Sequence, residues 1–135
     1  GPDVKAASQT RFMVMPWHLD LNFHVNNATY LNYCNQARLV FLSRNKVLGF
    51  IIRKKLIPTI TNNEITYLSS LKLGDIFTVT TQITEVEGAN IILLHTIQKG
   101  SKTTTKCKTT VRLLSRSRKS VNAASLLDEF RTRLT

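Results

Sequence analysis

The clearest pattern in the chain is the alternation over residues 76–87. Phe77, Val79, Thr81 and Ile83 fall on one parity, and Thr78, Thr80, Gln82 and Thr84 on the other, which is the period of a half-buried strand. Two more such segments follow: Gly88-Ala89-Asn90 turns into a strand over 91–98, and Lys99-Gly100-Ser101 into a long one over 102–114. Connections this short predict antiparallel hairpins. Upstream, residues 56–70 carry Ile57, Ile60, Ile65 and Tyr67 and read as another strand, followed by a turn at Gly74-Asp75. The short apolar run over 11–16 reads as a first strand that Pro16 ends. Between these β segments the period becomes helical. From residue 28 to about 44, Tyr30, Leu31, Cys34, Ala37, Phe41 and Leu42 share one wide face, with Asn26-Asn27 placed to cap it. Tyr33, Leu39 and Val40 lie outside that face, so the helix is expected to be apolar around most of its circumference and buried under a sheet. The order predicts an α+β fold in which one antiparallel sheet wraps around one central helix. One sheet face then remains to be covered, and an oligomer of identical chains is expected.

At 135 residues the chain fits one domain and leaves little room for two. Its 42% hydrophobic content argues against a disordered basic tail, and no apolar run is long enough to span a bilayer. Residues 1–10 read as the remnant of a cleaved tag (Gly1-Pro2 without an initiator Met) and a disordered start. Residues 11–115 read as the folded domain, and 116–135 as a basic, Ser-rich linker with a short terminal helix. Two cysteines make no disulfide framework; Cys34 and Cys107 are expected in the core. They fit a reducing compartment, the cytoplasm or an organelle matrix if a targeting segment has been removed.

Charge changes the picture. The chain has 19 Lys+Arg against 8 Asp+Glu, a formal +11 that leaves nucleic acid, an anionic membrane surface and an acidic substrate or carrier open as partners. No acid occurs between Gly88 and Leu127. Lys102, Lys106, Lys108 and Arg112 share one parity of the last strand, as a solvated face or as an anion site. They are interleaved with Thr rather than aromatics and no nucleic-acid motif accompanies them, which weakens the nucleic-acid reading.

The segment that can carry chemistry precedes the helix. Asp20, Asn22 and His24 stand at i, i+2 and i+4, and Asp20 is the only carboxylate between Asp3 and Glu64. A carboxylate can serve as general base or nucleophile, and the free N–H groups at a helix start can stabilise an oxyanion. The same residues are also ordinary caps and turn formers, and spacing alone leaves both readings open. The three His are not at zinc-ligand spacing, so no metal is expected. His95, in a strand, is read as structural, and Trp17 as a packing residue that could also line a pocket.

The run Asp20-Leu21-Asn22-Phe23-His24-Val25-Asn26-Asn27, followed by Tyr30-Leu31 and Ala37-Arg38, resembles the hotdog-fold thioesterases. These include the 4-hydroxybenzoyl-CoA thioesterase family and the plant acyl-ACP thioesterases. Leu71-Lys72-Leu73-Gly74-Asp75 before an alternating strand is similar as well, and the resemblance covers roughly residues 12–114. It implies hydrolysis of an acyl-CoA or acyl-ACP thioester to a free acid and a thiol, without a cofactor. It gives Asp20 the role of attacking the thioester or activating water, and Asn22 and His24 that of positioning substrate or water. It makes the backbone around Asn26, Asn27 and Ala28 the oxyanion hole, and the basic stripe a site for CoA or a carrier protein. Arg38 looks like the helix Arg of bacterial relatives, an ion pair or polar support at a subunit interface. A homodimer or homotetramer is implied. Two departures stand out: His18 occupies the place where many bacterial relatives carry a second acid, and Ser69-Ser70-Leu71 stands where the plant enzymes have an acid and a Cys. A non-catalytic hotdog protein that binds acyl thioesters or serves as an assembly subunit is therefore the alternative from another class.

Overall fold

A computed structural model describes residues 7–45 and 47–122. The elements are β1 (Ala7–Met13), a single 3₁₀ turn at Pro16–His18, α1 (Asn27–Arg44), α2 (Val47–Arg53), β2 (Ile57–Tyr67), β3 (Ile76–Glu87), β4 (Asn90–Lys99) and β5 (Lys102–Leu114). The five strands form one sheet in the order β1-β3-β4-β5-β2, with every pairing antiparallel. This is the hotdog fold, a five-stranded antiparallel sheet packed against a central helix. The alternation expected for β3 holds from Phe77 to Ile83 and then slips at a bulge, which brings Val86 inward. β1 starts at Ala7, four residues ahead of the run that predicted it, because Ser8 and Thr10 pair with Thr81 and Val79 at the edge of β3. Backbone pairing rather than apolar content recruits those residues.

Asn26 caps α1: its Oδ1 accepts from the Thr29 N–H at 3.0 Å and the Thr29 hydroxyl at 3.2 Å. At the other end the Asn45 side-chain amide donates to the Phe41 carbonyl at 2.8 Å. The buried residues of α1 are Tyr30, Tyr33, Cys34, Ala37, Arg38 and Phe41. Tyr33, expected off the apolar face, is at its centre, packed on Phe12 and Phe77. Leu39 is 57% exposed, so the helix is not buried all round. The reason is that α1 lies mainly over β1, β3 and β4 of an open sheet, which leaves the inner face of β2 poorly covered.

The connection after α1 contains α2, which the sequence pattern did not reveal. Val47, Phe50 and Ile51 bury its inner side against Phe41, Ile83, Val86 and Leu113. Residues 115–120, expected as a linker, fold back: the Ser115 N–H donates to the Lys119 carbonyl at 2.8 Å and the Val121 N–H to Leu113 at 2.9 Å. The terminal helix expected over 123–134 lies outside the described residues.

Candidate active site

The loop ahead of α1 is closed by its own backbone. The Asp20 N–H donates to the His24 carbonyl at 2.9 Å, and the Phe23 N–H to the Asp20 carbonyl at 3.0 Å. Leu19 and Val25 form an isolated bridge at its base. Phe23 sits at φ +58°, a left-handed conformation that a bulky side chain rarely adopts and that the tight turn imposes. Within this turn the Asp20 Oδ1 accepts the Asn22 N–H at 2.9 Å and the His24 N–H at 3.1 Å. Asn22 and His24 thus meet Asp20 through their backbones, while their side chains project from an exposed loop. Two backbone donors on one oxygen fix the carboxylate and leave Oδ2 as the oxygen available to a proton or a reacting carbon.

The first turn of α1 follows directly. The Asn26 side chain and carbonyl satisfy the Thr29 N–H, and the Asn26 carbonyl also accepts from Tyr30. Among the described residues the Asn27 and Ala28 N–H groups have no partner, as expected of the opening positions of a helix. Asp20 and the Asn27 and Ala28 donors therefore lie on one segment, the turn and the helix start that follows it. Asn26 itself is the cap.

His18, at the position of the second acid in many relatives, is tied into the core edge. Its Nδ1 accepts the Met15 N–H at 3.0 Å and lies 2.8 Å from the Tyr33 hydroxyl. Burial, with Tyr30 nearby, pushes the Tyr33 phenol up to about 12, so it stays protonated.

The basic stripe is reorganised. A bulge at Thr104 shifts the register between β4 and β5, so Lys102 pairs with Lys99 on the parity opposite to Lys106, Lys108 and Arg112. The expectation that all four share a face fails there. Strand period counts only paired residues, and Thr104 is a buried extra one whose hydroxyl donates to the Ile97 carbonyl at 3.4 Å. The remaining three lie on the exposed face of β5, opposite the buried Cys107, Thr109 and Val111; Lys108 stands across from Glu64 in the β2 register, and Arg112 Nε donates to Asn90 at 3.2 Å.

The sequence reading missed a cavity of about 260 Å³ between the second half of α1, α2 and strands β2 to β5. Leu42, Ile51, Ile60, Ile91 and Leu113 are among its apolar walls, and Asn35 and Arg38 are its polar residues. Arg38 is 7% exposed, and burial lowers its pKa from the ordinary guanidinium value. The only early signal was an Arg in the middle of an apolar helix face. Among the described residues no group of three or more His, Cys, Asp or Glu could hold a metal ion. No helix among them is long and apolar enough to cross a membrane.

A five-stranded antiparallel sheet packed on a central helix, with an acid-bearing turn leading into that helix, is the fold of the hotdog thioesterases. The chain belongs to the thioesterase-like superfamily, which its residues 14–134 match. It is 32% identical over 89 residues to the long-chain acyl-CoA thioesterase FadM of Escherichia coli strain K12, spanning 66% of this chain and 67% of that protein. Its fold matches the probable thioesterase YbaW of Escherichia coli with a TM-score of 0.86 at 25% identity, over 93% of this chain and 97% of that one. The fold is also that of the Staphylococcus aureus protein SAV2348, solved in complex with CoA (TM-score 0.79, 19% identity, 100% of this chain and 90% of that one). The enzyme is a thioesterase.

Proposed function

We propose that this thioesterase hydrolyses acyl-CoA, with Asp20 as the group that acts on the thioester. The observation that carries this reading is the Asp20 carboxylate, held by two backbone N–H groups in the turn that leads to the unpaired donors of Asn27 and Ala28. The relationship to FadM supports a CoA thioester over one on a carrier protein. Water attacks the carbonyl carbon and its proton passes to Asp20. The Asn27 and Ala28 N–H groups take the charge on the oxygen, the C–S bond breaks, and the thiolate leaves as the thiol. Direct attack by Asp20, through an anhydride that water then opens, uses the same atoms. The exposed side chains of Asn22 and His24 would orient the thioester or the water. Lys106, Lys108 and Arg112 would attract the CoA phosphates.

The apolar cavity would take the acyl chain. It lies about 16 Å along α1 from Asn27, counted at the helical rise per residue, so one chain does not bring its own acid to it. A homodimer or homotetramer, in which a second copy supplies the acid, answers this. Leu21 at 99%, Phe23 at 81% and Leu39 at 57% exposure are the apolar surface such a copy would cover. The two free, buried cysteines support a reducing compartment.

Thiol release over a panel of acyl-CoAs tests the reading. Asn at position 20 keeps an acceptor for both backbone N–H groups, so Asp20→Asn should fold normally and lose about 10²-fold or more in kcat/KM. Turnover retained in that variant removes Asp20 from the mechanism. Binding without thiol release in the parent chain returns it to the non-catalytic class.

A further inference from the structure

Arg38 is a cation in the wrong kind of place. It projects from the middle of α1 toward the sheet, 7% exposed, at the edge of a cavity whose other walls are almost entirely apolar. Its hydrogen-bond partners are neutral; the nearby group able to carry a negative charge is the Cys107 thiol, whose pKa the hydrogen bond with Cys34 and the Arg38 charge lower to about 6. Nη1 and Nη2 donate to the Asn35 Oδ1 at 3.2 and 3.0 Å, and Nη2 reaches the Thr109 hydroxyl at 3.4 Å. Thr109 in turn donates to the Asn63 Oδ1 at 2.7 Å, so its lone pairs are turned to Arg38. The buried Nε–H has no partner among the described residues. No carboxylate pairs with the guanidinium among them either. A buried cation whose hydrogen-bond partners are neutral carries a desolvation penalty that an anion of fitting shape would offset.

We infer that Arg38 and Asn35 form a carboxylate subsite at the head of the apolar cavity, which holds a free straight-chain fatty acid by its head group. This rests on the reading that the cavity takes the acyl chain. A guanidinium matches a carboxylate with two parallel N–H donors; Arg38 lines the cavity, and its Nε–H, though buried, has no partner among the described residues to give up. The tail would lie along Leu42, Ile51, Ile60, Ile91 and Leu113. A methylene takes up about as much room as a liquid water, roughly 30 Å³, so the cavity accepts a tail on the order of nine methylenes. At neutral pH such an acid is ionised. A thioester carbonyl is neutral and gains less from Arg38 than the carboxylate does. The enzyme would therefore retain its product acid, which makes the free acid a competitive inhibitor.

The test compares decanoate with 1-decanol, which has the same tail and no charge, by calorimetric titration of the full chain. The expected result is roughly 10- to 100-fold tighter binding of the acid. Arg38→Met should abolish that preference, and Arg38→Lys should keep part of it. Equal affinity for acid and alcohol in the parent chain, or binding of neither, overturns the inference; so does a preference that survives in Arg38→Met. The parent chain alone decides if a variant does not fold. Hydrolysis of decanoyl-CoA without an acid preference overturns this subsite and leaves the thioesterase reading standing. An acid preference in a chain that releases no thiol does the reverse.

Discussion

His95 shows how much one buried side chain can decide. It is fully buried in β4, its Nδ1 is 3.0 Å from the Thr81 hydroxyl, and its Nε2 has no partner among the described residues. Burial, with Arg38 nearby, lowers its pKa from 6.5 to about 3, so it is neutral in the folded chain throughout the usual range. Thr81 flanks it across β3 and does not titrate, but the Cys107 thiol across β5 does: its pKa is lowered to about 6, chiefly by the hydrogen bond with Cys34, so its contribution to stability is also lost as pH falls through 6. In the unfolded chain His95 takes up a proton near its ordinary value. The folded pKa is the depressed one, so its contribution to stability is complete above about pH 6.5 and is lost progressively as pH falls toward 3. Urea unfolding between pH 7 and 5, above most carboxylate titration, should show stability declining with acid. His95→Gln should remove the His95 part of that slope, and Cys107→Ser the part due to the thiol. Asp20 belongs to the same scale but to the opposite case, an acid in an exposed turn whose position depends on two backbone donors.

At the level of elements, α1 holds the site together. It presents free N–H groups at the end that the Asp20 turn leads into and Arg38 in its middle, and one cap sets where it begins. Asn26→Ala removes the acceptor for the Thr29 N–H and hydroxyl and should cost about 1 kcal/mol, read as a fall in melting temperature. It should also lower kcat more than it raises KM, since fraying of the first turn displaces the Asn27 and Ala28 donors and not the acyl cavity. The bulge at Thr104 is the second informative element. Period-2 counting places Lys102 with Lys106, Lys108 and Arg112, and one unpaired residue moves it away. Composition cannot reveal a bulge, because Thr103, Thr104 and Thr105 are identical in type and differ only in their pairing. The same limit explains α2: Val47–Arg53 is too short for a helical period to stand out, and its helicity is supported by packing on Phe41 and Leu113.

At the scale of the whole molecule, the described residues form an open sheet with α1 and the short α2 packed against it. The sheet's far edge, β2, keeps apolar side chains on the poorly covered inner side, with Ile60 at 46% and Tyr67 at 42% exposure. An edge strand of this kind invites pairing with a second copy. Sedimentation should give a concentration-dependent dimer or larger species. Tyr67→Lys, at a β2 position that does not line the acyl cavity, should shift it to monomer, and activity should fall in parallel if the acid of one copy serves the cavity of the other. A monomer with full activity would show that one chain is sufficient.

By itself the sequence determined the hairpin series β3-β4-β5, the extent of α1, and the Asp20 turn ahead of it. Each of these is encoded locally, by alternation, by Gly and Asn at turns, or by an Asn-capped helical run. It also singled out Arg38 as a charge on an apolar face, without saying what it faces. Tertiary structure decided the placement of β2 beside β5, the burial of Tyr33, the bulge that removes Lys102 from the stripe, and the cavity with Arg38 at its edge. These depend on which segments meet across long stretches of chain, and periodicity carries no record of a neighbour that is distant in sequence. The helix therefore appears in the sequence as a stripe, and only the sheet laid against it shows that the stripe carries a cation beside an apolar cavity.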